Sequence, residues 1–220
     1  MIDTSYTQEH TTRLGRTFIC NPVDMLHEIG IDPESATDVV LTHLHYDHVG
    51  NIGRFQAATF HFHKAELPFA TGWYAQEPSV SFAYDLAHVT QAARALYEGR
   101  VRLVEGNLTL APGVELDHVP GHSPGHLCDR VWTRRGWVLL AVDAAHFLVN
   151  LTMRRPFPLY LDLEQMFRRY DRLLALAPDL NSIICGHDSS VIDRYPPARP
   201  ELVGKVARLD LDPSDDLPSA

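Results

Sequence analysis

The sequence predicts an α+β chain, an αββα sandwich, and three observations carry that reading. Short β-rich runs fall into two blocks along the chain. Helical patterns lie within and between the blocks, so two sheets are expected, each covered by helices. The 220 residues contain no repeat, low-complexity stretch or linker. That length suffices for one core. One domain over 1–210 is therefore expected, with a mobile acidic, Pro- and Ser-bearing tail over 211–220.

Each element has its own signal. Residues 21–30, "NPVDMLHEIG", read as a helix capped by Asn21, with Pro22 in its first turn and Gly30 at its end. "DVVLT" (38–42) is a short apolar run that suits a buried strand, and "AATFHF" (57–62) is β-rich. The stretch 81–99 predicts a helix ended by Gly99. "VRLV", "LTLA" and "VELDHV" predict successive strands, with Pro112-Gly113 turning the last pair. "LCDRVWT" and "WVLLAVD" predict a hairpin around "RRG". Residues 162–178 predict an amphipathic helix capped by Asp162, and "NSIIC" (181–185) a last buried strand.

Composition narrows the function. The formal charge of −9 argues against nucleic acid, whose phosphates call for a basic face. The one basic cluster, Arg168, Arg169 and Arg172, reads as a solvated helix face. No apolar run is long enough to span a bilayer, and the first 30 residues have no apolar signal-peptide core. Three cysteines, Cys20, Cys128 and Cys185, form no disulfide framework and suit a reducing compartment, so a cytoplasmic protein is expected. Histidine is the outlier, at 13 of 220 residues.

Residues 41–50, "LTHLHYDHVG", concentrate it, with His43, His45, Asp47 and His48 in six positions. Neutral imidazole and carboxylate are ligands that Zn²⁺ and similar ions accept. His43 and His45, two apart in extended chain, share a face and can reach one ion. Asp47 and His48 follow on the loop beyond the strand and can serve a second. Two ions need more ligands, and isolated ones stand at other strand ends: His122 in "VPGHSPGH", Asp143 ending "WVLLAVD", and His187 in "CGHD". The expected set is His43, His45 and His122 on one metal and Asp47, His48 and His187 on the other, with Asp143 between. Other groups read as structural. His61 and His63 in "FHFHK" have no Asp/His partner following and close a strand. His126 orients its loop. Cys185 is a small buried hydrophobe. His10, His27, His88 and His118 are surface or packing residues.

H-x-H-x-D-H, a later Gly-His, an Asp ending a strand and a final Gly-His resemble the metallo-β-lactamase superfamily. The separations of 21 and 44 residues between His122, Asp143 and His187 fit its small hydrolases. "LTHLHYDHVGN", "VPGHSPGH", "VDAAHF" and "ICGHD" most resemble its N-acyl homoserine lactonase-like group, over about residues 2–209. "MIDTS" resembles the family's Asp-Thr-Gly segment, with Ser5 in the glycine's place and Asp3 as the buried acid supporting the metal loop. That segment normally follows several dozen residues of strands. A shortened N-terminus is therefore expected, with an unpaired edge on the first sheet.

The resemblance implies two divalent ions, Zn²⁺ foremost, with Mn²⁺, Fe²⁺ or Co²⁺ as alternatives. It implies ring opening of a lactone, foremost an N-acyl homoserine lactone (quorum quenching), by a metal-bridging hydroxide, with Asp47 passing the proton to the leaving alkoxide. Lactonases of this group often carry a tyrosine three residues after the bridging aspartate. Here His146 stands there, either keeping the contact to the substrate carbonyl or marking a different lactone or ester. Phe69, Trp73, Tyr74, Phe147, Phe157 and Tyr160 are candidates to line an acyl pocket. Two alternatives stay open: a glyoxalase II-like thioester hydrolase, and an inactive metal-binding remnant. The expected partner is a small lactone or ester, with no nucleic acid or membrane, and a homodimer is allowed.

Overall fold

A computed structural model describes residues 1–214 of the chain. Most of the tail expected over 211–220 lies outside the described residues, although the Ser214 amide donates to the Arg194 carbonyl at 2.8 Å. The described residues divide into two compact units, one of residues 1–105 and one that begins at Gly106.

The first unit opens with α1 (Gln8–Arg13) and α2 (Pro22–Glu28). Asn21 caps α2 as expected, its side-chain oxygen accepting from the Val23 amide at 3.0 Å. Three strands follow in one parallel sheet, in the order β1 (Asp38–Val40), β2 (Thr59–His63) and β3 (Val101–Val104). Between β1 and β2 lies α3 (Tyr46–Val49). Between β2 and β3 lie α4 (Glu66–Ala70), α5 (Pro78–Ser81) and α6 (Leu86–Tyr97). The helix expected over 81–99 is thus broken. The Asp85 side chain accepts from the Ala87 amide at 2.8 Å, so it starts a new helix and ends continuity with α5. Val39, Leu41, Leu44, Phe60 and Phe62 form the core with Ala92 and Ala95 of α6. An isolated parallel bridge, Ile2 to Val40, lies beside β1. Residues 1–3 run parallel to it, with Met1 O accepting from Val40 N at 2.9 Å and Asp3 N donating to Val40 O at 2.8 Å.

The second unit holds a five-stranded sheet in sequence order: β4 (Leu108–Ala111), β5 (Val114–His118), β6 (Leu127–Thr133), β7 (Gly136–Val142) and β8 (Ile183–Cys185). The first four are antiparallel, and β8 is parallel to β7. The three strands read as successive between 101 and 119 therefore divide. "VRLV" joins the first sheet through a parallel crossover, and the next two begin the second. Apolar alternation cannot distinguish these partners, because both are satisfied by burying one face. Its described residues also form the helices α7 (Leu148–Thr152), α8 (Leu163–Leu176) and α9 (Ser190–Arg194). Asp162 caps α8 through the Gln165 amide at 3.0 Å. Tyr170, Leu173 and Leu176 of α8 pack in one cluster with Cys128, Leu139, Ala141 and Ile183.

The basic face read on α8 needs correction. Arg168 is exposed, but Arg169 is 2% exposed, because it falls three residues after buried Met166 and shares its face. Burial lowers its pKa to about 10. Arg172 pairs with buried Asp117 at 2.7 Å.

Candidate metal centre

In the first unit the histidine motif leaves β1 through Leu41, whose amide bonds His61 O at 2.8 Å. His43 and His45 lie in the extended segment beyond it. Asp47 and His48 lie on α3 rather than on a loop. A one-turn helix of YDHV carries too weak a period to be read from sequence.

Asp3 organises this loop. Its Oδ1 accepts from the Thr42 amide at 2.8 Å, and its Oδ2 accepts from the Thr42 hydroxyl at 2.8 Å and from His48 Nδ1 at 2.8 Å. With the Thr42 proton given to Asp3, Thr42 Oγ1 accepts from His43 Nδ1 at 3.1 Å. The tautomers follow from this network. His43 and His48 each hold a proton on Nδ1, so in the neutral rings Nε2 carries the lone pair that a metal ion would take. His43 Nε2 lies 3.0 Å from His45 Nδ1, a spacing that two ligands of one ion adopt. His48 Nε2 lies 3.8 Å from Asp47 Oδ1.

Two supports were not legible in the sequence. Glu66, fully buried at the start of α4, accepts from the Leu44 amide at 3.0 Å, between the two histidines. Tyr84 meets His45 in a T-shaped ring contact, centroids 4.8 Å apart. Burial raises the Tyr84 phenol above its ordinary range, as does Glu66. A glutamate at a helix start reads as an ordinary first-turn acid, so no local pattern marks Glu66.

In the second unit Asp143 follows directly on β7, and His187 follows Gly186 after β8. The neighbouring parallel strands bring both to one sheet end. Val142 just before Asp143 has φ 48, strain of about 1–3 kcal/mol for a β-branched residue. Gly186 N bonds Val142 O at 3.0 Å. A Cβ on Gly186 would lie 2.9 Å from that oxygen and 3.0 Å from Asp143 Oδ1, so glycine is required there by close approach. His122 sits in the loop from β5 to β6, whose Gly121 carbonyl is bonded by the Leu161 amide at 2.7 Å.

Three imidazoles meet the Asp143 carboxylate. His122 Nε2 is 3.2 Å and His146 Nε2 3.3 Å from Oδ2, and His187 Nε2 is 3.2 Å from Oδ1. His122, Asp143 and His146 are buried, and their ligand atoms form a group able to hold a metal ion. The donor set fits a divalent ion. His122 Nδ1 donates to the Leu159 carbonyl at 2.9 Å, so in the neutral ring Nε2 carries a lone pair facing a carboxylate oxygen. Two acceptors so placed suit a cation between them.

Residues read as structural are placed accordingly. His61 lies on β2 with Nε2 on Asp38 Oδ1 at 2.8 Å, and His63 ends the strand. His10 is buried, stacked on Tyr46 at 4.0 Å. Cys185 is buried in β8, and burial, then Asp188, pushes its thiol up to about 12, far from a thiolate ligand. Phe157 packs on the His146 ring at 4.2 Å.

Buried imidazoles and carboxylates near strand ends, in a mixed chain of two sheets, make residue groups that could hold a metal ion in an α+β protein. The chain belongs to the Metallo-beta-lactamase superfamily, whose family description matches residues 1–187. An N-acyl homoserine lactonase of Bacillus sp is 30% identical over 141 residues, 61% of this chain and 49% of that protein. One of Bacillus thuringiensis is 29% identical over 168 residues, 76% of this chain and 61% of that protein. The chain thus spans about half to three fifths of the length of these curated relatives. Among solved structures, a quorum-quenching N-acyl homoserine lactone lactonase aligns with TM-score 0.68 and 26% identity, covering 86% of this chain and 74% of that one. An N-acyl homoserine lactone hydrolase with N-hexanoyl-L-homoserine at its catalytic metal center aligns with TM-score 0.68 and 25% identity, covering 86% and 76%. These matches bear out the metallo-β-lactamase fold expected from the motifs. No helix among the described residues is long and apolar enough to cross a membrane.

Proposed function

We propose that the chain is a metal-dependent hydrolase that opens a lactone ring, with N-acyl homoserine lactones as the substrate class. The observation that carries this is the meeting of His122, His146 and His187 on the Asp143 carboxylate at 3.2–3.3 Å. The names of the relatives supply the substrate class.

In this reading His43, His45 and His122 hold one divalent ion and Asp47, His48 and His187 a second, with Asp143 shared. Both compact units then belong to one catalytic domain. Zn²⁺ is the first choice for an N- and O-donor set. Bound there, the ions would supply a nucleophilic water at neutral pH and a Lewis acid for the carbonyl. The chain's own groups do the rest. Asp3, through Thr42 and His48, keeps the ligand nitrogens of His43 and His48 deprotonated and oriented. Glu66 fixes the backbone between His43 and His45. Asp47 takes the proton released by the attacking water and returns it to the leaving alkoxide. The proposed setting is the cytoplasm, where the reaction would destroy quorum signals.

The test is the ring-opening rate of a medium-chain N-acyl homoserine lactone by zinc-loaded protein against a chelated control. A chelator-sensitive rate far above background supports the reading. A metal-loaded chain without turnover on lactone, ester or thioester would make it a metal-binding remnant.

A further inference from the structure

We propose that His146 is itself a metal ligand, binding through Nε2 the same ion as His122 and Asp143, and so completing a metal site within the second unit alone. This rests on the metal-binding reading above and changes the part His146 plays in it: the side chain acts on the ion, not as a donor to the substrate carbonyl.

Distance is the first argument. Two ligands bound at about 2.0–2.2 Å in tetrahedral geometry lie about 3.3–3.6 Å apart. His146 Nε2 stands 3.3 Å from Asp143 Oδ2, and His122 Nε2 stands 3.2 Å from the same oxygen. The atoms of all three residues lie within 4.8 Å of one another. Both imidazoles thus hold the same relation to the carboxylate, and for His122 the Nδ1 bond to Leu159 already identifies Nε2 as the ligating atom.

Rigidity is the second. The His146 ring is 4% exposed and lies nearly parallel to two others, Phe157 at 4.2 Å and 19°, and His187 at 4.9 Å and 18°. Its backbone carbonyl accepts from the His187 amide at 3.0 Å. A side chain clamped in this way presents Nε2 to Asp143 at little further entropic cost, which is the preorganisation a ligand needs. A donor to a substrate carbonyl would direct Nε2–H to solvent-accessible space. Here the atom is directed at a buried carboxylate.

The consequence is asymmetry. Two imidazoles and a carboxylate make a self-sufficient set of three, a pattern that also suits Fe²⁺ and Mn²⁺. The second unit should therefore retain an ion without His43 and His45.

The experiment uses the full chain with Co²⁺ as the probe, read by its visible d–d absorption and by competition with a chromophoric chelator. Wild type, His43→Ala/His45→Ala, His146→Gln, and the triple variant are compared, with circular dichroism of each metal-free chain as the check on folding. The expected result is one tightly held ion in His43→Ala/His45→Ala. Adding His146→Gln should weaken that ion at least about tenfold and change its spectrum. His146→Asp, which can ligate, should restore most of the affinity in the same background. Unchanged affinity and spectrum on His146→Gln would overturn the inference and leave the hydrolase reading standing. No ion held by His43→Ala/His45→Ala would overturn it as well. No ion held by wild type would overturn both.

Discussion

His48 gives its Nδ1 proton to Asp3 Oδ2 at 2.8 Å, across 45 positions of sequence. That carboxylate also takes the amide and hydroxyl of Thr42, so one side chain orders the whole metal loop. Replacing Asp3 with Ala strands three donors. The expected cost is about 3 kcal/mol in denaturant unfolding. Metal affinity should fall by about 10–100-fold in chelator competition. Wild-type affinity in Asp3→Ala would show that His43 and His48 are oriented by something else.

Ser5 occupies φ 57, a region that costs a non-glycine residue about 1 kcal/mol, and its carbonyl accepts from the Gly50 amide at 2.7 Å. Ser5→Gly is expected to stabilise the chain by up to about 1 kcal/mol, seen as a higher denaturant midpoint with an unchanged slope. Gly50→Ala should act in the opposite direction. Its Cβ would stand 2.7 Å from Ser5 O and 2.9 Å from Tyr6 Cα, both backbone, and overpacking of this kind costs about 1–3 kcal/mol or more.

Gly186→Ala separates metal binding from folding. The added Cβ would press on Val142 O and on Asp143 Oδ1. We expect metal loss out of proportion to the change in melting temperature, because the carboxylate is displaced while the cores stay intact. A variant that melts like wild type and retains its metal would contradict the close approach.

Asp143→Ala, or exhaustive chelation of wild type, should abolish lactone turnover. Added Zn²⁺ should restore the chelated wild type and leave the variant inactive. Metal analysis by mass spectrometry after gel filtration reads the stoichiometry directly. Turnover by metal-free Asp143→Ala would end the metal-dependent reading.

Acid should destabilise the first unit in two stages. Burial lowers the pKa of His88 from its ordinary 6.5, against the pull of Asp85. Its contribution is complete above pH 6.5 and is lost as the pH falls toward the lower folded value, because the unfolded chain then binds the proton more readily. The Asp85 carboxyl is held well below its ordinary 3.8. Burial opposes this, but hydrogen bonds from Arg13 and His10 outweigh it. Its contribution is complete above that value and is lost in stronger acid. Stability against pH, measured by urea unfolding, should flatten just below pH 6.5 in His88→Gln. Asp85→Asn should flatten the stronger-acid part of the curve. Unaltered slopes would refute the assignment.

The candidate ligands were legible in the sequence because their chemistry is rare and their spacing short. His43, His45, Asp47 and His48 identify themselves by density alone, and Asp143 and His187 by standing at the ends of apolar runs. Caps were legible for the same local reason. Asn21 and Asp162 bond amides two and three residues ahead. What escaped the sequence was every relation between residues far apart. "VRLV" could not announce that it pairs with β2 rather than β4, since strand pairing is a contest among distant partners with equal local propensity. Arg169 looked solvated until α8 packed it inward, and Glu66 looked like an ordinary helix-start acid until the fold put it on the Leu44 amide. His146 carried only a substitution in sequence. Its 3.3 Å relation to Asp143, and its clamp between Phe157 and His187, exist only once β7, β8 and the loops beyond them are folded together.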